Sequence, residues 1–287
     1  MTLAFEDIRT VAVVGAGTMG RGIAQLAAMA GFQTLLYDVE AAALERATAA
    51  IQKALEKGRQ RGKVSPQQIE QVGKLLRTTT DIEALQADFI VEAVIEDPDV
   101  KKAVFEKLEA INRPETIITS NTSSIPISAL SRGLRRPERF GGMHFFNPPH
   151  IMKLVEVVRG AHTAASTVQV ITRMAEAMGK TPIAVKDAPG FVVNRVARHF
   201  YLEALRLLEE GVADVPTIDG LMENVGFRMG PFRLMDLIGV DTNHSVTTSM
   251  FRAFFYEDRF RPSRIQQQYV DAGLHGRKSG RGFYTYE

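Results

Sequence analysis

The sequence contains no cysteine, which removes disulfides, thiolate nucleophiles and cysteine-ligated metals from consideration and suits a reducing cytosol. It has no apolar run approaching the roughly 18 residues a membrane span needs. Its start, Met1-Thr2-Leu3-Ala4-Phe5-Glu6-Asp7, lacks the basic stretch and apolar core of a signal peptide. A cytoplasmic protein with no membrane partner is the expectation. A surplus of one charge is also missing: 35 basic residues face 33 acidic ones for a net charge of +2. The bases are scattered among acids, so nucleic acid is not an expected partner. What is present is ordinary globular material, 45% apolar and 24% charged over 287 residues. That length suffices for one large or two modest domains with real cores.

The pattern divides into two parts. Residues 9–14 form a β-branched run ending in glycines, a helical pattern follows over 19–30, and 33–37 is a second apolar run. Strand, helix and strand with short connections indicate a parallel sheet. Residues 41–63 predict one long helix, and Ser65-Pro66 is a cap and first-turn signal for another, giving a helical hairpin inserted in the sheet. Strands are expected over 89–95, 116–119, 140–144, 155–158 and 182–185, with helices over 100–110 and 167–178. From Phe191 to about Tyr269 the periodicity is helical. The expected organisation is a Rossmann-type α/β domain over 1–187 and an all-helical domain over 188–287. The apolar faces of the helical part make self-association plausible.

Gly15-Ala16-Gly17-Thr18-Met19-Gly20 has the glycine spacing of a dinucleotide-binding turn. Gly15 makes the tight turn, Gly17 lets the backbone approach a pyrophosphate, and Gly20 lets helix and strand pack closely. The helix start then offers free N–H groups to the phosphates. Asp38, eighteen residues past Gly20, ends the next strand, where a carboxylate accepts bonds from ribose hydroxyls and repels a 2′-phosphate. NAD is therefore expected over NADP, with a simple turn aspartate as the alternative for Asp38.

The segment His144-Phe-Phe-Asn147-Pro-Pro-His-Ile-Met-Lys-Leu-Val-Glu156 carries a histidine at the end of one apolar run and a carboxylate on the next. An imidazole oriented by a carboxylate is a general base. A packed histidine beside a surface glutamate fits that segment equally well. Ser120-Asn121-Thr122-Ser123-Ser124 ends a strand in small polar residues, where ligands of open sheets bind, or where a helix cap is needed. Pro189 is read as opening a helix that puts Asn194 on its second turn, as a substrate-binding amide or a surface residue. No histidine pair has zinc-protease spacing, so no metal is expected.

These motifs, with Lys153-Leu-Val-Glu-Val, Pro189-Gly-Phe-Val-Val-Asn-Arg, Gly230-Pro-Phe-Arg-Leu-Met-Asp and the tail Gly276-Arg-Lys-Ser-Gly-Arg-Gly-Phe-Tyr284, closely resemble the L-3-hydroxyacyl-CoA dehydrogenase family. The length is similar to that of its bacterial 3-hydroxybutyryl-CoA dehydrogenases. The resemblance implies an NAD-dependent enzyme acting on acyl-CoA of short chain, and a homodimer. It implies His144 as general base, Glu156 as its orienting carboxylate, and Ser123 and Asn194 at the reacting oxygen and thioester. Thr18, Met19, Glu96, Lys101, Asn147 and Lys278 are similar to cofactor positions of the family. Arg59, Arg61 and Lys63, a basic run at the hairpin tip, are a weaker candidate for the phosphates of coenzyme A, since such runs are usually solvated. Arg233 and Val240 depart from the family pattern. Two rival readings stand beside this one: a dehydrogenase of a free hydroxy acid on the same scaffold, and a nucleotide-binding protein without activity.

Overall fold

The computed structural model describes residues 3–287, which form two compact units meeting between Ala188 and Pro189. In chain order the first unit contains β1 (Thr10–Val14), α1 (Thr18–Met29), β2 (Gln33–Tyr37), α2 (Ala41–Gln60), α3 (Pro66–Leu75), β3 (Leu76–Thr79) and β4 (Phe89–Glu92). It continues with α4 (Pro98–Ile111), β5 (Ile117–Ser120), α5 (Ile127–Leu130), β6 (Phe140–Phe145), β7 (Leu154–Arg159), α6 (Ala165–Ala177) and β8 (Thr181–Lys186). One eight-stranded sheet runs β3-β2-β1-β4-β5-β6-β7-β8. The strands from β3 to β6 are parallel, and β7 reverses against β6.

The central strands are buried on both faces, which is why Val11-Ala-Val-Val14 and Phe89-Ile-Val91 read as unbroken apolar runs. Helix α1 buries Ile23, Ala24, Ala27 and Ala28 against them, a small-residue face that brings helix and sheet close. Strand order reverses between β1 and β4, so a crevice opens beyond their carboxyl ends.

One strand and two boundaries of this unit differ from the sequence expectation. β3 follows α3 without any turn residue between Leu75 and Leu76, so its four-residue edge run carries no punctuation to announce it. β4 stops at Glu92, because the Glu92 carboxylate accepts the Val94 N–H at 2.7 Å and turns the chain outward. α2 stops at Gln60, where Gly62 adopts a left-handed φ of 66°. The hairpin is also less free-standing than expected. Val72 of α3 is buried, and Gln71 donates to the Ala28 and Met29 carbonyls at the end of α1. Its Ser65 cap is as expected, with Gln68 completing a reciprocal capping box.

The second unit contains α7 (Val193–Glu209), α8 (Val215–Asn224), α9 (Pro231–Ile238), α10 (Val240–Ala253) and α11 (Arg264–Asp271). Tyr201, Leu205, Ile218, Phe232 and Met235 form its core. Two buried carboxylates fasten the tail to this core. Asp236 accepts the Phe283 and Tyr284 N–H groups, and Asp219 accepts the Tyr284 hydroxyl at 2.9 Å. Arg233 lies over the Tyr284 ring, 3.6 Å from Glu223, which gives this departure from the family pattern a local partner. The helix after Pro189 starts later than expected. Gly190 and Phe191 take φ values of 71° and 48°, outside the helical region, so α7 begins at Val193 and Asn194 stands in its first turn, not its second.

Candidate active site

The glycine loop joins β1 to α1 at the crevice. Gly15 has φ 101°, and a Cβ there would lie 2.6 Å from the Ala93 carbonyl. A Cβ on Gly20 would lie 1.7 Å from the Gly15 carbonyl, so no side chain is tolerated at either position. Gly17, by contrast, faces open space and caps α1 without any side-chain bond. Thr18 and Met19 form the first turn behind it. The loop thus leaves unobstructed N–H groups at a positive helix end, which fits a pyrophosphate.

Asp38 leaves β2 toward this loop. One oxygen accepts the Ala16 N–H at 2.7 Å and the other the Glu40 N–H at 3.1 Å. It therefore serves as a turn former, and a carboxylate still has lone pairs for ribose hydroxyls. Asp38→Ala is expected to raise the KM for NAD and narrow the preference over NADPH in steady-state kinetics. Unchanged cofactor constants would leave Asp38 with its turn role alone.

Beyond β4 and β5 lies a network only partly visible in the sequence. Lys101 of α4, 1% exposed, donates to Glu92 at 2.6 Å and lies 3.3 Å from Glu96. Glu92 is fully buried and also accepts the Ser120 hydroxyl at 2.6 Å. Burial pushes the Glu92 carboxyl up, against the pull of Lys101, Ser120 and the Val94 N–H. Glu96 behaves oppositely. Burial works to raise it, but Lys101 and bonds from Thr122, Ser123 and Ser124 hold it below the ordinary carboxylate value. Through Glu96 the Ser-Asn-Thr-Ser-Ser turn is ordered: it accepts the Thr122 hydroxyl at 2.6 Å and the Ser123 N–H at 2.9 Å. Ser123 itself is half-buried, its hydroxyl 3.3 Å from Glu96. Asn121 accepts the Phe145 N–H at 2.8 Å, tying this turn to the end of β6.

His144 and Glu156 are direct cross-strand neighbours in the β6–β7 ladder. Opposed positions on one face of an antiparallel pair bring side chains within about 5 Å. Here His144 Nδ1 lies 2.7 Å from Glu156 Oε2, with the carboxylate fully buried and the imidazole nearly so. That contact directs Nδ1 to the carboxylate and turns Nε2 away from it. The Phe146 ring packs on the imidazole at 4.6 Å between centroids.

The connecting turn is clamped from two sides. Pro149 rests against Gly22 of α1, where a Cβ would come within 2.4 Å of it, and Lys180 donates to the Pro149 and Met152 carbonyls. Asn147 is exposed at the start of this turn. Burial, aided by Lys153, pulls the Lys180 ammonium down to about 8 from 10.5. The unfolded chain therefore holds more protons than the folded one between those two values, and this group adds stability as pH rises through that window. Melting curves should show the wild-type Tm rising relative to Lys180→Met as pH passes from 7.5 toward 10.5. A constant difference would contradict the clamp's assigned charge.

Arg59 is paired with Glu56 at 2.6 Å, while Arg61 and Lys63 are exposed at the hairpin tip. In the second unit Lys278 donates to Asp241 at 2.7 Å, and Asn194 is half-buried in the first turn of α7. The sequence reading missed Glu92 and Lys180 as contributors, and it read Ser120 as part of a substrate-facing cluster where the structure has its hydroxyl bonded to Glu92. The one signal for Glu92 is a carboxylate closing the apolar run Phe89-Ile-Val91.

Comparison with known proteins accords with this arrangement. Residues 10–188 match the 3-hydroxyacyl-CoA dehydrogenase, NAD binding domain, and residues 190–286 match the C-terminal domain of the same family. A 3-hydroxyadipyl-CoA dehydrogenase of Escherichia coli (strain K12) is 49% identical over 98% of this chain, which spans only 59% of that protein's length. A probable 3-hydroxybutyryl-CoA dehydrogenase of Deinococcus radiodurans is 42% identical over 96% of this chain and 99% of its own. The crystal structure of (S)-3-hydroxybutyryl-CoA dehydrogenase from Ralstonia eutropha superposes with a TM-score of 0.94 at 37% identity, covering 98% of this chain and 99% of that one. With both of its units matched in order, the chain belongs to the 3-hydroxyacyl-CoA dehydrogenase family.

Proposed function

We propose that this protein interconverts L-3-hydroxyacyl-CoA and 3-ketoacyl-CoA esters of short chain. The observation that carries the reading is the buried His144–Glu156 pair, 2.7 Å apart near the carboxyl end of β6, at the same end of the parallel strands as the glycine loop. Gly15, Gly17, Thr18, Met19, Gly20 and Asp38 would hold NAD, which when bound supplies the hydride acceptor. Glu96, Lys101, Asn147 and Lys278 are assigned to its nicotinamide side, with Lys101 and the hydroxyls of the serine turn fixing the Glu96 carboxylate in place.

His144 Nε2 takes the proton of the 3-hydroxyl, and Glu156 stabilises the imidazolium that results. Ser123 and Asn194 donate to the substrate oxygen, each well-placed donor being worth about 3 kcal/mol. Arg61 and Lys63 are the exposed bases available to the phosphates of coenzyme A, with Arg59 already held by Glu56. Self-association through the helical unit, which exposes Leu221, Val225 and Phe227, is read as a homodimer that light scattering would detect.

The test is oxidation of NADH with acetoacetyl-CoA, run beside NADPH and beside free acetoacetate. Turnover of the CoA ester with NADH alone is the expected result. Preferential turnover of the free acid would favour the hydroxy-acid dehydrogenase reading, and turnover of neither would leave a nucleotide-binding protein.

A further inference from the structure

We propose that the first unit carries a second ligand site, an arginine-lined cavity at the amino ends of β5 and β6 that takes a small organic phosphate of mononucleotide size. The site stands apart from the dehydrogenase reading and does not depend on it.

The cavity measures about 380 Å³ and opens where the end of α4 meets the start of these two strands. Arg113, Arg135, Arg136 and Arg139 line it. Ile118 of β5 and Phe140 of β6 are opposed in the sheet, both buried, and with the half-buried Leu134 they give the cavity an apolar floor. From Phe140 the strand runs four residues on to His144. At about 3.3 Å per residue that is roughly 13 Å, so this cavity lies at the opposite end of the strand from the proposed base.

The polar groups around the cavity are already engaged, with one exception. Glu109 is the one carboxylate lining it among the described residues, and it accepts the main-chain N–H groups of Arg135 and Arg136, each at 2.8 Å. Those bonds pin the loop to α4 and engage neither guanidinium. Asn112 accepts the Ala87 N–H and donates to the Leu85 and Leu108 carbonyls, and the Thr116 hydroxyl donates to the Ala87 carbonyl. Arg113 is paired with Asp88, and Arg139 donates to the Glu115 carbonyl at 3.2 Å. With Asp88 counted, four cations face two carboxylates. What the cavity offers a ligand is guanidinium N–H, which donates and never accepts.

An acceptor-only group fits that offer, and a negative charge offsets the surplus. The guanidinium fork matches carboxylate and phosphate alike. Phosphate is favoured here because it brings nearly two charges and three acceptor oxygens, enough to engage several guanidinium groups at once. The floor adds a second requirement. Ile118, Leu134 and Phe140 gain nothing from inorganic phosphate, whereas a ring carried by the phosphate would cover them. The cavity volume falls at the small end of the range typical of small-molecule sites, which suits one ring and one phosphate.

The experiment is calorimetric titration with UMP, uridine and inorganic phosphate, with NADH saturating so that the glycine loop is occupied. UMP is expected to bind as a single molecule per chain, inorganic phosphate more weakly, and uridine not at all. Raising the salt concentration should weaken UMP binding, since the rim is solvent-exposed. The double variant Arg135→Gln, Arg136→Gln should weaken it roughly tenfold or more, the scale of one charge-assisted hydrogen bond. Both side chains are exposed, and an unchanged NADH affinity would report an intact sheet in the variant. Absence of UMP binding to the wild type overturns the proposal without any variant. Binding that the double variant leaves unchanged would place the nucleotide elsewhere and overturn it too. Inorganic phosphate binding as tightly as UMP would remove the role given to the apolar floor, and with it the organic ligand.

Discussion

Glu156→Gln is expected to lower kcat by about 10²- to 10⁴-fold, the range found when a catalytic imidazole loses its carboxylate. Glutamine fits the same space, so the ladder around it survives. What changes is charge. The carboxylate lies 2.7 Å from His144 Nδ1 and is itself excluded from water, so its charge acts at close range on an imidazolium formed by proton uptake at Nε2. An amide can also present its NH₂ to Nδ1, which would select the opposite tautomer and place the proton on the nitrogen that must accept one. His144→Ala should fall at least as far. NAD affinity, measured by calorimetric titration, should hold in both variants because the glycine loop and Asp38 are untouched. Full activity in Glu156→Gln would mean that the pair is a packing contact.

The second large effect is on stability. Lys101→Met should destabilise the protein by about 3–5 kcal/mol, because it strands the fully buried Glu92 without its cation. For a domain of this size each kcal/mol moves Tm by about 2–4 °C. Burial already pushes Glu92 above its ordinary value with Lys101 present. Without Lys101 the folded state should take up a proton at Glu92 before the unfolded chain does, so the variant gains stability relative to wild type as pH falls. Its deficit should be largest at alkaline pH. Adding Glu92→Gln to Lys101→Met should recover much of the loss, and a double-mutant cycle in denaturant would measure the coupling. Independent, additive losses would show that the two side chains do not act as a pair.

What the sequence disclosed depended on how local each feature is. The glycine loop was legible because its three constraints fall within six residues and act on the backbone itself. Asp38 was placed by distance from that loop, though its bond to Ala16 was not foreseeable. The histidine and glutamate were visible at two strand ends, but their opposition depends on register, which no spacing rule supplies across an eight-residue turn. Glu92 and Lys101 were separated by a turn and a helix start, and only tertiary burial makes them a pair. Lys101 entered by family resemblance and Glu92 did not enter at all. The start of α7 was misjudged because Phe191 adopts a left-handed backbone that a non-glycine residue does not advertise.

The antiparallel pairing of β6 with β7 has a bearing on how this site tolerates change. Because His144 and Glu156 face each other by ladder position, their separation in space does not depend on how many residues lie between them in the chain. Parity governs instead. Lengthening the intervening turn leaves the two opposed, whereas gaining or losing one residue inside either strand sends one side chain to the opposite face of the sheet. The turn that carries Asn147 can therefore drift in length and composition among descendants of this chain while His144 and Glu156 stay in step, and an indel scan across residues 141–158 would map that divide residue by residue.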